Sequence, residues 1–309
     1  MSFIQPLTAT DHLTGPAALP RPLLIAGAGG TLGQAFQRMC HIRGLAAVAL
    51  GRAELDITAP AAIAAALDRY QPWAVVNAAG YVRVDDAEDD AARCYRENTD
   101  GPALLAAACA GRELPLLTFS TDLVFDGRRA RAYLESDPAR PLNVYGHSKL
   151  LAERAVLARQ PGALVVRTSA FFSAWDDFNF VHHALAAARD GRSFAAADDL
   201  LVSPTYVPDL VNTALDLLLD GERGLWHLAN QGACTWAGLA RLAIEAAGLD
   251  TACVVARPAQ AFGWAAARPR RSALESQRGG LLPTVASGLE RYLADEQHAR
   301  AARPPALVG

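Results

Sequence analysis

The sequence predicts an α/β protein built on a doubly wound parallel sheet, with a smaller mixed α/β lobe. Between residues 22 and 169, short apolar runs alternate about six times with helix-like stretches. Such alternation implies parallel strands joined by right-handed crossovers. After Ala170 the alternation loosens and aromatic residues become frequent. We therefore expect a flexible arm over residues 1–20, a sheet domain over 21–170, and mainly a second lobe over 171–309, with some elements returning to the sheet.

Composition narrows the class of protein. The chain has 309 residues, of which 51% are hydrophobic and 20% charged, with a net charge of −3. No long basic run favours nucleic-acid binding, and no apolar run reaches the roughly 18 residues of a membrane span. The five cysteines are widely spaced and form no Cys-x-x-Cys motif, so neither a disulfide framework nor a zinc site is expected. A reducing cytoplasm is the predicted location.

The first apolar run, Pro22 to Ala26, ends in a glycine-rich turn that leads into a helix-like stretch from Gln34 to Arg43. Strand, glycine turn and helix form the context of a dinucleotide site, because glycines let a pyrophosphate approach the backbone and the helix N-terminus attracts its charge. An ordinary glycine-rich βα turn is the alternative. The turn contributes Gly27, Gly29, Gly30, Thr31, Leu32 and Gly33.

The second predicted strand, Leu45 to Leu50, indicates which dinucleotide would bind. The acidic residue that usually holds an NAD ribose is absent at its end, where Gly51 and Arg52 stand instead. An arginine there suits a 2′-phosphate, so we favour NADPH and keep NADH open; a surface arginine is the alternative. Asp56, which follows the strand, is assigned to the adenine side, and Thr58 is expected to cap the next helix.

Two further strands end in small or polar residues. Trp73 to Val76 leads into Asn77-Ala-Ala-Gly80, and Leu114 to Phe119 leads into Ser120-Thr121-Asp122. Ligands of open α/β sheets bind at the carboxyl ends of the strands. We therefore expect Ala78–Gly80 to face a cofactor and Thr121 to supply a polar group beside it.

Tyr145 and Lys149 lie four residues apart in a stretch predicted to be helical to about Arg159. This spacing puts both side chains on one helix face. A nearby ammonium should lower the pKa of the phenol, which could then exchange a proton with a substrate oxygen. Tyr-x-x-x-Lys alone is common and could be an exposed helical pair. The glycine turn and Thr121 favour the catalytic interpretation.

Taken together, these motifs resemble the extended short-chain dehydrogenase/reductases, more narrowly the dTDP-4-dehydrorhamnose reductase branch. The likeness runs from about residue 22 to 280. It is carried by GAGGTLG, LDIT, VVNAAGYVRVDDAE, ENTDGPALLA, FSTDLVFDG, VYGHSK, RTS, NFV, SPTYVPDL and GLWHLAN.

The resemblance implies a Rossmann-type fold, NADPH as cofactor and a nucleotide-sugar substrate. Some enzymes of this kind dimerise through a metal held by glutamates, but we assign no glutamate cluster to that role and expect no metal. The implied catalytic residues are Thr121, Tyr145 and Lys149. The implied cofactor contacts are Gly27, Gly29, Gly30, Thr31, Leu32, Gly33, Arg52, Asp56, Ile57, Ala78, Ala79, Gly80, Tyr145 and Lys149. The expected substrate contacts are Thr121, Asp122, Phe171 and Tyr206. A homodimer is possible.

Two departures from the family pattern lie at positions where the substrate would be recognised. Ala170 replaces the usual tryptophan after Arg-Thr-Ser, and Val82 replaces the usual threonine. Reduction or epimerisation of another nucleotide sugar therefore stays open. A non-catalytic module that binds NADP and serves a partner, similar to the regulatory subunit of methionine adenosyltransferase, is a further alternative. The intact Thr121, Tyr145 and Lys149 argue against it.

Overall fold

A computed structural model describes residues 21–176 and 178–302, with only the backbone for 299–302. The predicted N-terminal arm lies outside these residues. The strands are β1 (Leu23–Ala26), β2 (Ala47–Leu50), β3 (Ala74–Asn77), β4 (Leu116–Thr121), β5 (Leu164–Thr168), β6 (Phe171–Phe172), β7 (Phe194–Ala197), β8 (Leu201–Val202), β9 (Thr205–Tyr206), β10 (Gly224–His227), β11 (Cys234–Thr235) and β12 (Val254–Arg257).

The α-helices lie between and after these strands. They are α1 (Thr31–Ile42), α2 (Pro60–Tyr70), α3 (Asp86–Asp89), α4 (Ala91–Tyr95), α5 (Gly101–Ala110), α6 (Val144–Arg159), α7 (Phe180–Arg189), α8 (Val207–Leu219), α9 (Trp236–Ala246) and α10 (Val285–Ala302). Within the described residues, no helix is long and apolar enough to cross a membrane.

The central sheet has the order β2-β1-β3-β4-β5-β10, and all its strands run parallel. Strands β1, β3, β4 and β5 are buried along their whole length. This burial follows from helices covering both faces, since α1 and α8 pack in the core on one side while α2 and α5 pack on the other. The predicted doubly wound parallel sheet is confirmed. Strand β10 returns to it from beyond the aromatic-rich segment.

The second lobe has its own core. Helices α7, α9 and α10 pack around the parallel pair β7 and β12. The sequence patterns did not predict β7, β12 or α10, because short edge strands and an evenly polar helix carry little periodicity.

The end of β2 and the start of α2 differ from expectation in one detail. The expected helix cap at Thr58 is wrong, because its hydroxyl and backbone N–H both donate to Asp56 Oδ1, at 2.8 and 2.9 Å. Helix α2 begins at Pro60, whose fixed φ suits a first helical position.

Candidate active site

The glycine turn brings three chain segments into contact at the point where the strand order reverses. A Cβ at Gly33 would lie 2.1 Å from the carbonyl oxygen of Gly27, and one at Gly27 would lie 2.7 Å from the backbone nitrogen of Ala79. The first turn of α1 holds no acidic side chain, so its free N–H groups favour an anion. The predicted cofactor residues 27–33 and 78–80 therefore lie together, in a cradle that side chains would fill.

The other end of the predicted cofactor site is a slot of about 50 Å³. It is lined by Gly27, Arg52, Leu55, Asp56, Ile57, Ala79, Gly80 and Glu97. The structure thus groups Arg52, Asp56 and Ile57 as the sequence predicted. It also places Glu97 there, which sequence reasoning missed because Glu97 stands in a polar stretch typical of a solvated helix face.

Tyr145 and Lys149 lie in the first turns of α6, which begins close to the end of β4. Asn143 caps this helix by accepting a hydrogen bond from the Gly146 backbone N–H at 2.7 Å. A Cβ at Gly146 would lie 2.2 Å from the Leu123 carbonyl oxygen. Glycine at this position therefore lets α6 approach the strand end closely enough for Tyr145 and Thr121 to line the same cavity.

Enclosure of the Tyr145 phenol raises its pKa well above the ordinary value, and the charges of Asp122 and Cys94 add to this effect. A hydrogen bond with Thr121 acts in the opposite direction but is weaker. The expected lowering of the pKa is therefore wrong, because burial of the phenol dominates. Tyr145 stays protonated at neutral pH, as a proton donor requires.

Lys149, one helical turn beyond Tyr145 in α6, is also buried. Burial lowers its pKa to about 8, although the Glu153 carboxylate one turn further along α6 favours the charged form. Glu153 is itself held by Ser120, which donates to it at 2.5 Å, and by two hydrogen bonds from Arg167. The ammonium is thus charged at neutral pH and titrates just above it.

Asp122 forms part of the cavity wall beside Thr121. Its carboxylate accepts hydrogen bonds from the Ser272 hydroxyl at 2.5 Å and from the Thr121 hydroxyl at 3.2 Å. Burial nevertheless raises its pKa. The Ser272 contact ties the end of β4 to the segment that precedes α10.

The cavity above Tyr145 has a volume of about 730 Å³. The predicted Thr121, Asp122 and Phe171 line it, together with Val82 and Ala170, the two family departures. Aromatic side chains make up much of its remaining wall. They are Phe178, Phe180, Phe194, Trp236, Phe262 and Trp264. Sequence reasoning missed most of these because they come from separate segments of the lobe.

Tyr206 corrects the predicted substrate set. Its side chain is buried in the lobe core, where the hydroxyl donates to Asp295 at 2.5 Å and the ring packs on Phe172. The backbone N–H of Tyr206 donates to Asn230. Tyr206 therefore supports the lobe instead of facing the cavity.

Asn98 links the cofactor side to the catalytic helix. Its side chain exchanges two hydrogen bonds with the backbone of Tyr81, at 2.8 and 3.0 Å, and donates to the Ser148 hydroxyl on α6 at 3.1 Å. It lies in a π-helical turn, Arg96–Asp100, a geometry frequent near functional sites. Asn98 thus positions backbone beside the site.

The fold and the Tyr145–Lys149 helix at its sheet edge are those of the extended short-chain dehydrogenase/reductases. Residues 21–293 match the family model described as the RmlD substrate binding domain, and the chain belongs to this family.

Two curated relatives and a solved structure illustrate the likeness. The chain is 37% identical over 300 residues to the dTDP-4-dehydrorhamnose reductase of Streptomyces griseus, covering 94% of this chain and 95% of that protein. It is 40% identical over 266 residues to the dTDP-4-dehydrorhamnose reductase of Mycobacterium tuberculosis, covering 84% and 86%. The structure of the Bacillus anthracis dTDP-4-dehydrorhamnose reductase in complex with NADP superposes with a TM-score of 0.85 at 29% identity, covering 90% of this chain and 100% of that one.

Proposed function

We propose that this protein uses NADPH to reduce the C4 keto group of a nucleotide-linked 4-keto-6-deoxysugar. The observation that carries the proposal is the shared cavity of Thr121 and Tyr145 at the carboxyl edge of the sheet, the edge at which β1 also runs into the glycine turn. The curated relatives named above support the substrate class, and the NADP complex of the Bacillus anthracis protein supports the cofactor.

The glycine turn and residues 78–80 would hold the dinucleotide, with its pyrophosphate at the N-terminus of α1 and its adenosine at the slot beside Arg52. When bound, NADPH supplies a hydride to the carbonyl carbon. This chain's own residues then handle the carbonyl oxygen, on which negative charge develops.

Tyr145 donates its proton to that oxygen, as its raised pKa allows. The Thr121 hydroxyl, at the end of β4, would turn from Asp122 Oδ1 to donate its hydrogen bond to the same atom. The Lys149 ammonium stabilises the tyrosinate left behind and offers donors to the nicotinamide ribose. Much of the cavity wall is apolar, and less polar surroundings strengthen these electrostatic interactions.

Turnover with defined substrates tests the proposal. Purified protein is mixed with NADPH and a dTDP-linked 4-keto-6-deoxysugar, and both NADPH absorbance and the sugar product are followed. Loss of absorbance with formation of the 4-hydroxy sugar supports reduction. Conversion of the sugar without NADPH consumption would indicate epimerisation. Dinucleotide binding with no turnover across a panel of keto sugars would favour the non-catalytic module.

The proposed function is consistent with a cytoplasmic location, which we also propose. A cytoplasmic reductase has access to NADPH and nucleotide sugars, and the five cysteines carry free thiols. The homodimer stays a prediction, which sedimentation analysis of the purified protein would test.

A further inference from the structure

The adenosine slot contains a buried carboxylate that the proposed reaction does not use. Glu97 is only 5% exposed, yet it lines the slot together with Arg52 and Asp56. A buried carboxylate carries a desolvation cost unless it is paired. The hydrogen-bond partners of Glu97 therefore indicate why a carboxylate is buried at this position.

Both partners are arginines, and both bind the same oxygen. Glu97 Oε1 accepts hydrogen bonds from the Arg52 guanidinium at 2.6 Å and from Arg93 Nε at 2.8 Å. Burial alone would raise the pKa of Glu97, but hydrogen bonds and charge from Arg93 and Arg52 lower it below the ordinary value. The carboxylate is thus ionised at neutral pH.

Arg52 is the group that the sequence assigns to a 2′-phosphate. Its side chain is 57% exposed beside the slot, so its remaining N–H groups can reach a ligand. Glu97 occupies part of the guanidinium, however, and its negative charge offsets that of Arg52. A 2′-phosphate would add a charge of about −1.5 to −2 next to this carboxylate. The 2′-hydroxyl of NADH would meet no such repulsion.

The other charges near the slot are mixed in sign. Asp56 adds a second negative charge, and its pKa is lowered by hydrogen bonds from Thr58, with smaller contributions from Arg52 and Arg96. Arg93 is directed at Glu97. The slot therefore pairs acidic and basic groups instead of presenting an open basic site.

We propose that Glu97 is a cofactor-specificity residue that reduces the preference for NADPH and allows NADH to compete. This inference rests on the proposed function only in that the dinucleotide must bind at this slot. It assigns to Glu97 an effect on the ratio of the two affinities, not on catalysis.

Equilibrium binding to the Glu97→Gln variant tests the inference without turnover. Dissociation constants for NADPH and NADH are measured by cofactor fluorescence. We expect the variant to bind NADPH about fivefold to tenfold more tightly, the size of a partly screened charge interaction, and NADH within about twofold of wild type. Glu245→Gln is the matched control, because it removes the same charge at an exposed position of α9 outside the slot. It should leave the ratio within about twofold.

Glu97→Met is a second variant, which removes the carboxylate but keeps a side chain of similar length. It leaves Arg52 and Arg93 without this partner, and both are exposed enough for water to solvate them. It should change the ratio in the same direction, with folding checked by circular dichroism. An unchanged ratio in both variants, or weaker NADPH binding, would overturn the inference and leave Glu97 as a support for Arg52. If wild type bound neither dinucleotide, the proposed cofactor would also be wrong. That result is distinct from an unchanged ratio of the dissociation constants for NADPH and NADH.

Discussion

The candidate site has a cofactor half and a substrate half, and different kinds of groups line them. The cofactor half uses backbone, glycines and charged side chains that lie within a few short segments, such as the turn 27–33 and the slot beside Arg52. The substrate half is a cavity of about 730 Å³ whose wall includes many aromatic side chains from separate segments of the lobe. Tyr145 and Thr121 lie on the wall of the substrate cavity.

This difference indicates that the cofactor half serves a reaction common to the family, whereas the substrate cavity selects the sugar. A backbone cradle at the switch point of a parallel sheet suits any member of the family that carries a dinucleotide. An apolar cavity discriminates among sugars by shape and by the few polar groups it offers. Substitutions in the cofactor half should therefore change dinucleotide binding, and substitutions in the cavity should change the kinetic constants for the sugar.

The largest expected effect comes from Tyr145→Phe. Loss of the proton donor should lower kcat by about 10²–10⁴-fold, while the affinity for NADPH stays close to that of wild type. Steady-state kinetics and cofactor titration check both values. Tyr70→Phe, at the C-terminal end of α2, is the control and should leave kcat unchanged. A Tyr145→Phe protein with wild-type kcat would remove Tyr145 from the mechanism.

Gly33→Ala should damage the cofactor half alone. Its Cβ would lie 2.1 Å from the Gly27 carbonyl oxygen, so the turn or α1 must shift. We expect a loss of about 1–3 kcal/mol in the free energy of unfolding, measured by urea denaturation without cofactor. Gly29→Ala is matched to it, because a Cβ there meets no atom within 4 Å. Equal destabilisation by the two variants would contradict this account of the turn.

The pH dependence of reduction should report Lys149. Because burial lowers its pKa to about 8, the ammonium is charged below that pH and is lost as the pH rises through it. We therefore expect kcat/KM to fall above about pH 8, whereas the raised pKa of Tyr145 keeps the proton donor in place. Lys149→Arg, which stays charged, should move this fall upward by more than about one pH unit. An unmoved fall would assign it to another group.

The smallest expected effect is that of Tyr206→Phe in the lobe core. Removing its hydrogen bond to Asp295 should cost about 1 kcal/mol of folding stability and leave KM for the sugar unchanged. Thermal unfolding and substrate titration check the two quantities. A large rise in KM with unchanged stability would restore Tyr206 to the substrate site.

The parts of the site that sequence predicted are those encoded locally. Glycine turns, strand ends and the Tyr145–Lys149 spacing each lie within a few residues, and helical or strand periodicity fixes their geometry. The wall around Trp236 and Trp264 comes from separate segments whose meeting depends on how the lobe packs. The raised pKa of Tyr145 and the position of Glu97 both depend on burial, which spacing alone does not specify.

Transfer of deuterium from NADPH labelled at the reactive nicotinamide carbon tests the central claim most directly. Product from a dTDP-linked 4-keto-6-deoxysugar would be analysed by mass spectrometry and NMR. The account predicts deuterium on C4 of the sugar, formed by wild type and slowed about 10²–10⁴-fold in Tyr145→Phe. An unlabelled product, or no product from protein that binds NADPH, would contradict it.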